Sequence, residues 1–180
     1  MTTLKKTGKN IKLTGVIKAL GDNVNTDTIH NPQKFTIDKK KLGVDVLRRA
    51  ETSGKDIVII AGRNVGIGSS RFSTVVALKN SGVVAVAAPS ISRIFERNLA
   101  CAGIFPIKLD EARPAKNIKR IEYSEILINI IPGDGLYSAR LYLNGEKEPL
   151  LSGTVDGYLL DIAASGGMIA YMKIVLSCES

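Results

Sequence analysis

Residues 56–71 read Asp56-Ile57-Val58-Ile59-Ile60-Ala61-Gly62-Arg63-Asn64-Val65-Gly66-Ile67-Gly68-Ser69-Ser70-Arg71, and this stretch decides the fold. Asp56 to Ile60 is a short β-branched apolar run, the pattern of a buried strand. Phe72 to Lys79 reads as a helix that ends at Gly82. A glycine-rich turn therefore joins a strand to a helix. Gly66 and Gly68 let the backbone turn sharply and approach a neighbour closely. Ser69 or Ser70 can cap the helix. The free N–H groups and positive end of that helix then form an anion site, and Arg71 adds a planar fork that grips a carboxylate. Two hydroxyls and a guanidinium at a helix start suit a small polycarboxylate. The same residues also fit a tight turn with an ordinary serine cap, and residue chemistry alone leaves both readings open. A Walker loop is excluded, because Ser69 and not Lys follows Gly68. A dinucleotide fingerprint is excluded, because Arg71 stands where its third Gly belongs.

Outward from this turn, Val83 to Ala88 is a second buried strand. Pro89-Ser90 opens a second helix, with Ile91, Ile94, Phe95 and Leu99 apolar and Arg93, Glu96 and Arg97 outward. Gly103 ends it. Ile104 to Leu109 is a third strand, and Pro106 marks an edge or a strand end. This βαβαβ rhythm implies parallel strands with right-handed crossovers. Upstream, Ile11 to Lys18 alternates like a first strand, and residues 1–10 form a polar, Lys-rich extension expected to fray. Gly21 to Ile29 is dense in turn formers and carries Asp22 and Asp27, without the spacing of a calcium loop. His30 is the only histidine and reads as structural. Pro32 to Lys41 reads as an exposed loop, followed by a helix over Leu42 to Arg49.

Downstream, Asp110 to Arg120 is a polar linker. Ile126 to Ile131 and Leu136 to Leu143 flank Pro132-Gly133-Asp134-Gly135, a hairpin signal. Asn144-Gly145 turns the chain again, Val155 to Ala163 reads as a helix, and Gly166-Gly167 separates it from a last helix over Met168 to Val175. The expected class is α/β: a mixed sheet with a βαβαβ core and a hairpin-containing C-terminal part.

At 180 residues with 44% hydrophobic content, the chain can bury a core that is aliphatic, since aromatic residues are 5% and Trp is absent. Net charge is +8, from 25 Lys and Arg against 17 Asp and Glu. The cations are scattered and not interleaved with aromatics, apart from Lys39-Lys40-Lys41. That pattern speaks against nucleic acid and for a solvated surface or an acidic partner and substrate. Cys101 and Cys178 cannot build a metal site unaided, since an iron–sulfur cluster takes three or four thiolates. So few cysteines fit a cytoplasmic protein. There is no signal peptide and no apolar run long enough to span a membrane.

Four motifs, in order, now carry a family resemblance. Gly66-Ile67-Gly68-Ser69-Ser70-Arg71 resembles the Gly-x-Gly-Ser-Ser-Arg signature of the aconitase swivelling domain. Asp22-Asn23-Val24-Asn25-Thr26-Asp27 resembles its Asp-Asn-x-x-Thr-Asp motif. Ser90-Ile91-Ser92-Arg93-Ile94-Phe95-Glu96-Arg97-Asn98 is similar to its Ser-Phe-x-x-Ile-Phe-x-x-Asn helix, and Gly103-Ile104-Phe105-Pro106 to the strand that follows. The tail Tyr158-Leu159-Leu160-Asp161-Ile162 with Gly166-Gly167-Met168-Ile169 looks like the ending of the family's separate small subunits.

A separate chain of this length resembles the compact 3-isopropylmalate dehydratase small subunits. The resemblance implies a swivelling β/β/α fold over residues 11–180 and a hydro-lyase of leucine biosynthesis. It implies no cofactor on this chain and a large-subunit partner, in a heterodimer or heterotetramer, that carries a [4Fe-4S] cluster. The substrate is then a small hydroxy-polycarboxylate, whose hydroxyl the cluster binds as a Lewis acid. Ser69 aligns with the serine base, held as an alkoxide by the helix start and nearby cations. Ser70 aligns with a substrate hydrogen-bonding residue and Arg71 with the carboxylate-binding arginine. Thr26 and Asp27 align with an interface pair that supports the site, and Lys34 falls near an arginine in the loop that reads the substrate side chain. The departures are specific. Phe72 and Ser73 replace the usual Glu and His after the arginine, Lys34 is a point charge and not a fork, and His30-Asn31 replace apolar residues. A related dehydratase, for dimethylmalate, citramalate or a homoaconitate-type acid, is the alternative, along with a non-catalytic assembly partner.

Overall fold

The computed structural model describes residues 10–30, 54–68, 71–110, 118–133 and 136–177. The extension at 1–9, the loop and helix expected over 32–49, most of the 110–120 linker, the hairpin tip and Cys178 lie outside the described residues.

Four strands that are rich in β-branched residues lie parallel and adjacent. They are β1 (Ile11–Ala19), β2 (Ile57–Ile60), β3 (Val83–Ala88) and β4 (Phe105–Leu109). All four residues of β2 are buried, because the strand has a core on each face. Val58 and Ile60 point into one cluster with Ile17, Ile107 and Ile128. Ile57 and Ile59 point into another, beneath α2 (Phe72–Asn80) and α3 (Arg93–Cys101). A strand covered on both sides shows no polar alternation, which is why Ile57 to Ile60 is a continuous apolar run.

The second half is an antiparallel meander of β5 (Glu125–Ile131), β6 (Leu136–Leu143) and β7 (Leu151–Asp156). β5 returns beside β1, with Ile11 opposite Ile130, and β7 meets β4 at Lys108 and Leu109. The sheet thereby closes into a barrel in the order β1-β2-β3-β4-β7-β6-β5, with no open edge. Two helices complete the chain, α4 (Gly157–Ala164) and α5 (Met168–Ser177), and α4 packs on α3 and β4. Among the described residues no single helix is long and apolar enough to cross a membrane.

Three local expectations are corrected. The helix expected from Ser90 starts at Arg93, because Ile91 is drawn into a bridge with Val65 and holds the chain extended up to Ser92. The buried stripe of α3 is Phe95, Glu96, Leu99 and Ala100, so Ile94 is 57% exposed and Glu96 only 7%. Glu96 turns inward because Lys108 on β4 meets it at 2.9 Å. Val155 and Asp156 end β7 instead of starting a helix; Asp156 caps α4 by accepting the N–H groups of Tyr158 and Leu159. Pro106 stands near the start of β4, ahead of the two positions where β7 pairs, so its missing N–H interrupts nothing on that side.

Candidate active site

The carboxyl ends of β1, β2 and β3 lead into three loops that are bonded together. The loop after β1 lies along the loop after β2. Asn23 N–H donates to the Arg63 carbonyl (2.7 Å), Gly66 N–H to Val24 (2.8 Å) and Thr26 N–H to Ile67 (3.0 Å). Asp22 Oδ1 accepts the Arg63 N–H at 2.7 Å, and Asn64 Nδ2 donates to Asn23 Oδ1 at 2.9 Å. Asn23 and Asn64 both have left-handed backbones, at φ 56° and 60°, a conformation asparagine tolerates better than most residues. The loop after β3 joins through Ser90: its carbonyl takes the Val65 N–H at 3.1 Å and its Oγ takes the Asn64 N–H at 2.8 Å. A parallel sheet places ligand sites at this end of its strands.

Two glycines let these loops pack. Gly66 has φ 78°, and a Cβ there would overlap the ring of Phe95, which is buried. Gly68 has φ 102°, and a Cβ there would lie 2.5 Å from Asn25 Oδ1. The same Asn25 oxygen accepts the Asp27 N–H at 2.9 Å and so starts the short helix α1 (Thr26–Ile29). One asparagine thus starts α1 and fills the space beside Gly68. Thr26 is buried, while Asp27 is exposed and faces Arg71, with Arg71 Nη1 3.8 Å from Asp27 Oδ1. Both side chains are about half exposed (45% each), so this pair steers the guanidinium more than it stabilises the fold.

The N-cap of α2 is Arg71, with no side-chain cap, which corrects the expectation of a serine there. The Arg71 carbonyl accepts the Thr74 N–H at 3.1 Å. Arg71, at the start of α2, lines a small cleft of about 30 Å³ together with Thr26, Gly66, Gly68 and Asn98, with Ile94 at its side. Of the residues singled out from the sequence, Thr26, Asp27, Gly66, Gly68 and Arg71 meet here. Ser69 and Ser70, between Gly68 and Arg71, and Lys34 lie outside the described residues. Asn23, Asn25, Asn64 and Ser90 stand in the quoted motifs and turn, but the sequence reading gave them no role in locking the loops. Their signal was the density of asparagine at chain turns, which marks left-handed residues and side-chain caps.

Two titratable groups that do not line this cleft are shifted from their ordinary values. Burial pushes the Cys101 thiol up, so it stays protonated near neutrality. Burial draws the Lys18 ammonium down, but its bonds to Glu122 and Tyr123 more than offset this and leave its pKa raised. Among the described residues no group of three His, Cys, Asp or Glu is placed to hold a metal ion.

A seven-stranded α/β barrel with three interlocked loops, a glycine turn and an arginine at a helix start defines a swivelling domain of the aconitase type. Residues 3–112 match the family model described as the aconitase C-terminal domain, and the chain belongs to that family. The match takes in all four parallel strands and every described site residue. The 3-isopropylmalate dehydratase small subunit of Thermodesulfovibrio yellowstonii is 31% identical over 180 residues, covering 94% of this chain and 98% of that protein. The methanogen homoaconitase small subunit of Methanocaldococcus jannaschii is 32% identical, covering 85% of this chain and 86% of that one. A crystal structure of a 3-isopropylmalate dehydratase from Methanocaldococcus jannaschii superposes with a TM-score of 0.70 at 26% identity, covering 94% of this chain and 100% of that one.

Proposed function

We propose that this chain is the small subunit of a cytoplasmic hydro-lyase that moves water across a small hydroxy-polycarboxylate, with 3-isopropylmalate as its substrate. The observation that carries the reading is Arg71. It starts α2 beside Asp27 where the three strand-end loops converge, and its side chain is 45% exposed, with Asp27 its ion-pair partner among the described residues. In this reading Arg71 holds one substrate carboxylate through two charged hydrogen bonds. Ser69, between the Gly68 turn and Arg71, takes the proton next to a carboxylate, and Ser70 hydrogen-bonds the substrate. Lys34 helps read the substrate side chain. The sequence holds two cysteines where a cluster takes three or four thiolates, and in this reading the [4Fe-4S] cluster belongs to the large-subunit partner. A related acid, such as dimethylmalate, citramalate or a homoaconitate-type substrate, is favoured over isopropylmalate by one feature. Phe72, 45% exposed, stands where the family's Glu would support the arginine.

The test is anaerobic mixing with the cognate large subunit and assay of isopropylmalate, citramalate, dimethylmalate, citrate and homocitrate in parallel. Turnover of isopropylmalate that needs both chains is the expected result. Turnover by the large subunit alone would overturn the catalytic reading and leave an assembly role. In the same assay Arg71→Lys is expected to lower kcat/KM by about 100-fold. A lysine keeps the charge but loses the fork, and charged hydrogen bonds contribute about 1.5–3 kcal/mol. An unchanged kcat/KM would remove Arg71 from the substrate.

A further inference from the structure

On the flank of α3 away from the Arg71 cleft lies a second cleft, of about 370 Å³, lined by Arg93, Arg97, Lys108, Glu96, Asp156 and Tyr158. Its charges are unevenly matched. Glu96 is buried and held by Lys108 at 2.9 Å. Asp156 Oδ1 accepts the N–H groups of Tyr158 and Leu159 at 2.9 and 3.2 Å. Arg93 and Arg97 are exposed, and among the described residues neither has an ion-pair partner.

The placement of these two arginines works against the helix. Like charges four residues apart on one face repel, at a cost of a few tenths of a kcal/mol. Arg93 is also the first residue of α3, where the positive end of the helix dipole disfavours a cation. Residues that break local rules with no internal compensation mark function. The opposite flank of the same helix carries Ile94, 57% exposed, beside the Arg71 cleft. Together α3 forms a ridge, with an apolar side chain beside the candidate active site and two guanidiniums, without an ion-pair partner among the described residues, lining the second cleft.

We infer that this ridge is the docking surface for an acidic segment of the large subunit, with Arg93 and Arg97 pairing with its carboxylates. The inference rests on the reading that a partner chain completes the site. A chain that covers the Arg71 cleft meets Ile94, which lines it on α3, and Arg93 and Arg97 lie within one helical turn of Ile94, where the charge left unmatched among the described residues is positive. An acidic segment supplies the missing carboxylates, and its body buries Ile94. Paired charges of this kind set association and its salt dependence more than the chemistry that follows.

The experiment is the affinity of the full-length chain for the cluster-loaded large subunit, measured by sedimentation and by activity titration at low and high salt. R93E/R97E is compared with K119E/R120E, which makes the same charge change at exposed residues in the turn before β5. R93E/R97E is expected to weaken binding by at least about 30-fold and to lose most of the salt dependence. Its kcat at saturating large subunit stays within about twofold of wild type, and K119E/R120E changes binding by less than about threefold. R93A/R97A, with circular dichroism and Tm unchanged, is expected to weaken binding by about tenfold and keeps the test open if the reversal fails to fold. Wild-type affinity in R93E/R97E and R93A/R97A, or an equal loss in K119E/R120E, would overturn the inference while leaving the function reading intact. Failure of the wild-type chain to bind the large subunit overturns both.

Discussion

Gly66→Ala is expected to destabilise the protein by about 2–5 kcal/mol and to abolish turnover. Two costs add. At φ 78° an alanine sits in the left-handed region, at about 1–2 kcal/mol. Its methyl group would also overlap the Phe95 ring, and forcing extra atoms into a packed site costs about 1–3 kcal/mol or more. Phe95 has little room to yield: it is 3% exposed, on the buried stripe of α3 with Leu99. The expected shift is a fall in Tm of about 10 °C, measured by thermal unfolding. Gly145→Ala isolates the first cost, since that glycine has φ 87° and its added methyl group would meet nothing within 4 Å. It should lose only about 1 kcal/mol. If the two variants melt together, Phe95 does not restrain the glycine turn and the packing account of the site is wrong.

Ser69→Ala is expected to lower kcat by about 10³-fold with KM nearly unchanged and the large subunit still bound. A hydroxyl that acts only as a proton acceptor contributes in the transition state, so its loss appears in kcat. Its neighbours in sequence are suited to the task. Gly68 at φ 102° turns the chain, and Arg71 starts α2, whose free N–H groups favour a negative oxygen. Ser70→Ala serves as the comparison and should raise KM more than it lowers kcat, because a substrate hydrogen bond acts in both states. Full turnover by Ser69→Ala would place the base elsewhere.

The parallel half of the fold was legible in the sequence because its signals are local. Ile57 to Ile60 is apolar throughout since both faces are covered, and Gly82 and Gly103 stop helices at φ 87° and 77°. The second half was less so. β7 escaped notice because Ser152, Gly153 and Thr154 interrupt it with small and polar residues. Gly153 has a tertiary reason to be there: a Cβ would overlap the Lys108 carbonyl across the β4–β7 seam. The face of α3 was misjudged for a similar reason, since only a lysine arriving from β4 makes an inward Glu96 acceptable. At the site, the glycine turn and Arg71 stood out by chemistry. The asparagines that lock the loops did not, because their partners lie in loops distant in sequence, as Asn64 does from Asn23.

Closure of the barrel also dictates an order of events as the chain is made. Ile11 pairs with Ile130, so β1 leaves the ribosome long before the strand that seals its outer side. The four parallel strands and the loops of the site can assemble first, but they then form an open sheet with one bare edge at β1 and another at β4. Such edges recruit any other extended chain, and pairings this distant in sequence form slowly. The β5–β7 meander closes both edges, one at each of its ends. The nascent chain is therefore vulnerable through the interval in which its chemistry is already encoded and its edges are still unpaired, and the speed with which the meander follows sets how long that interval lasts.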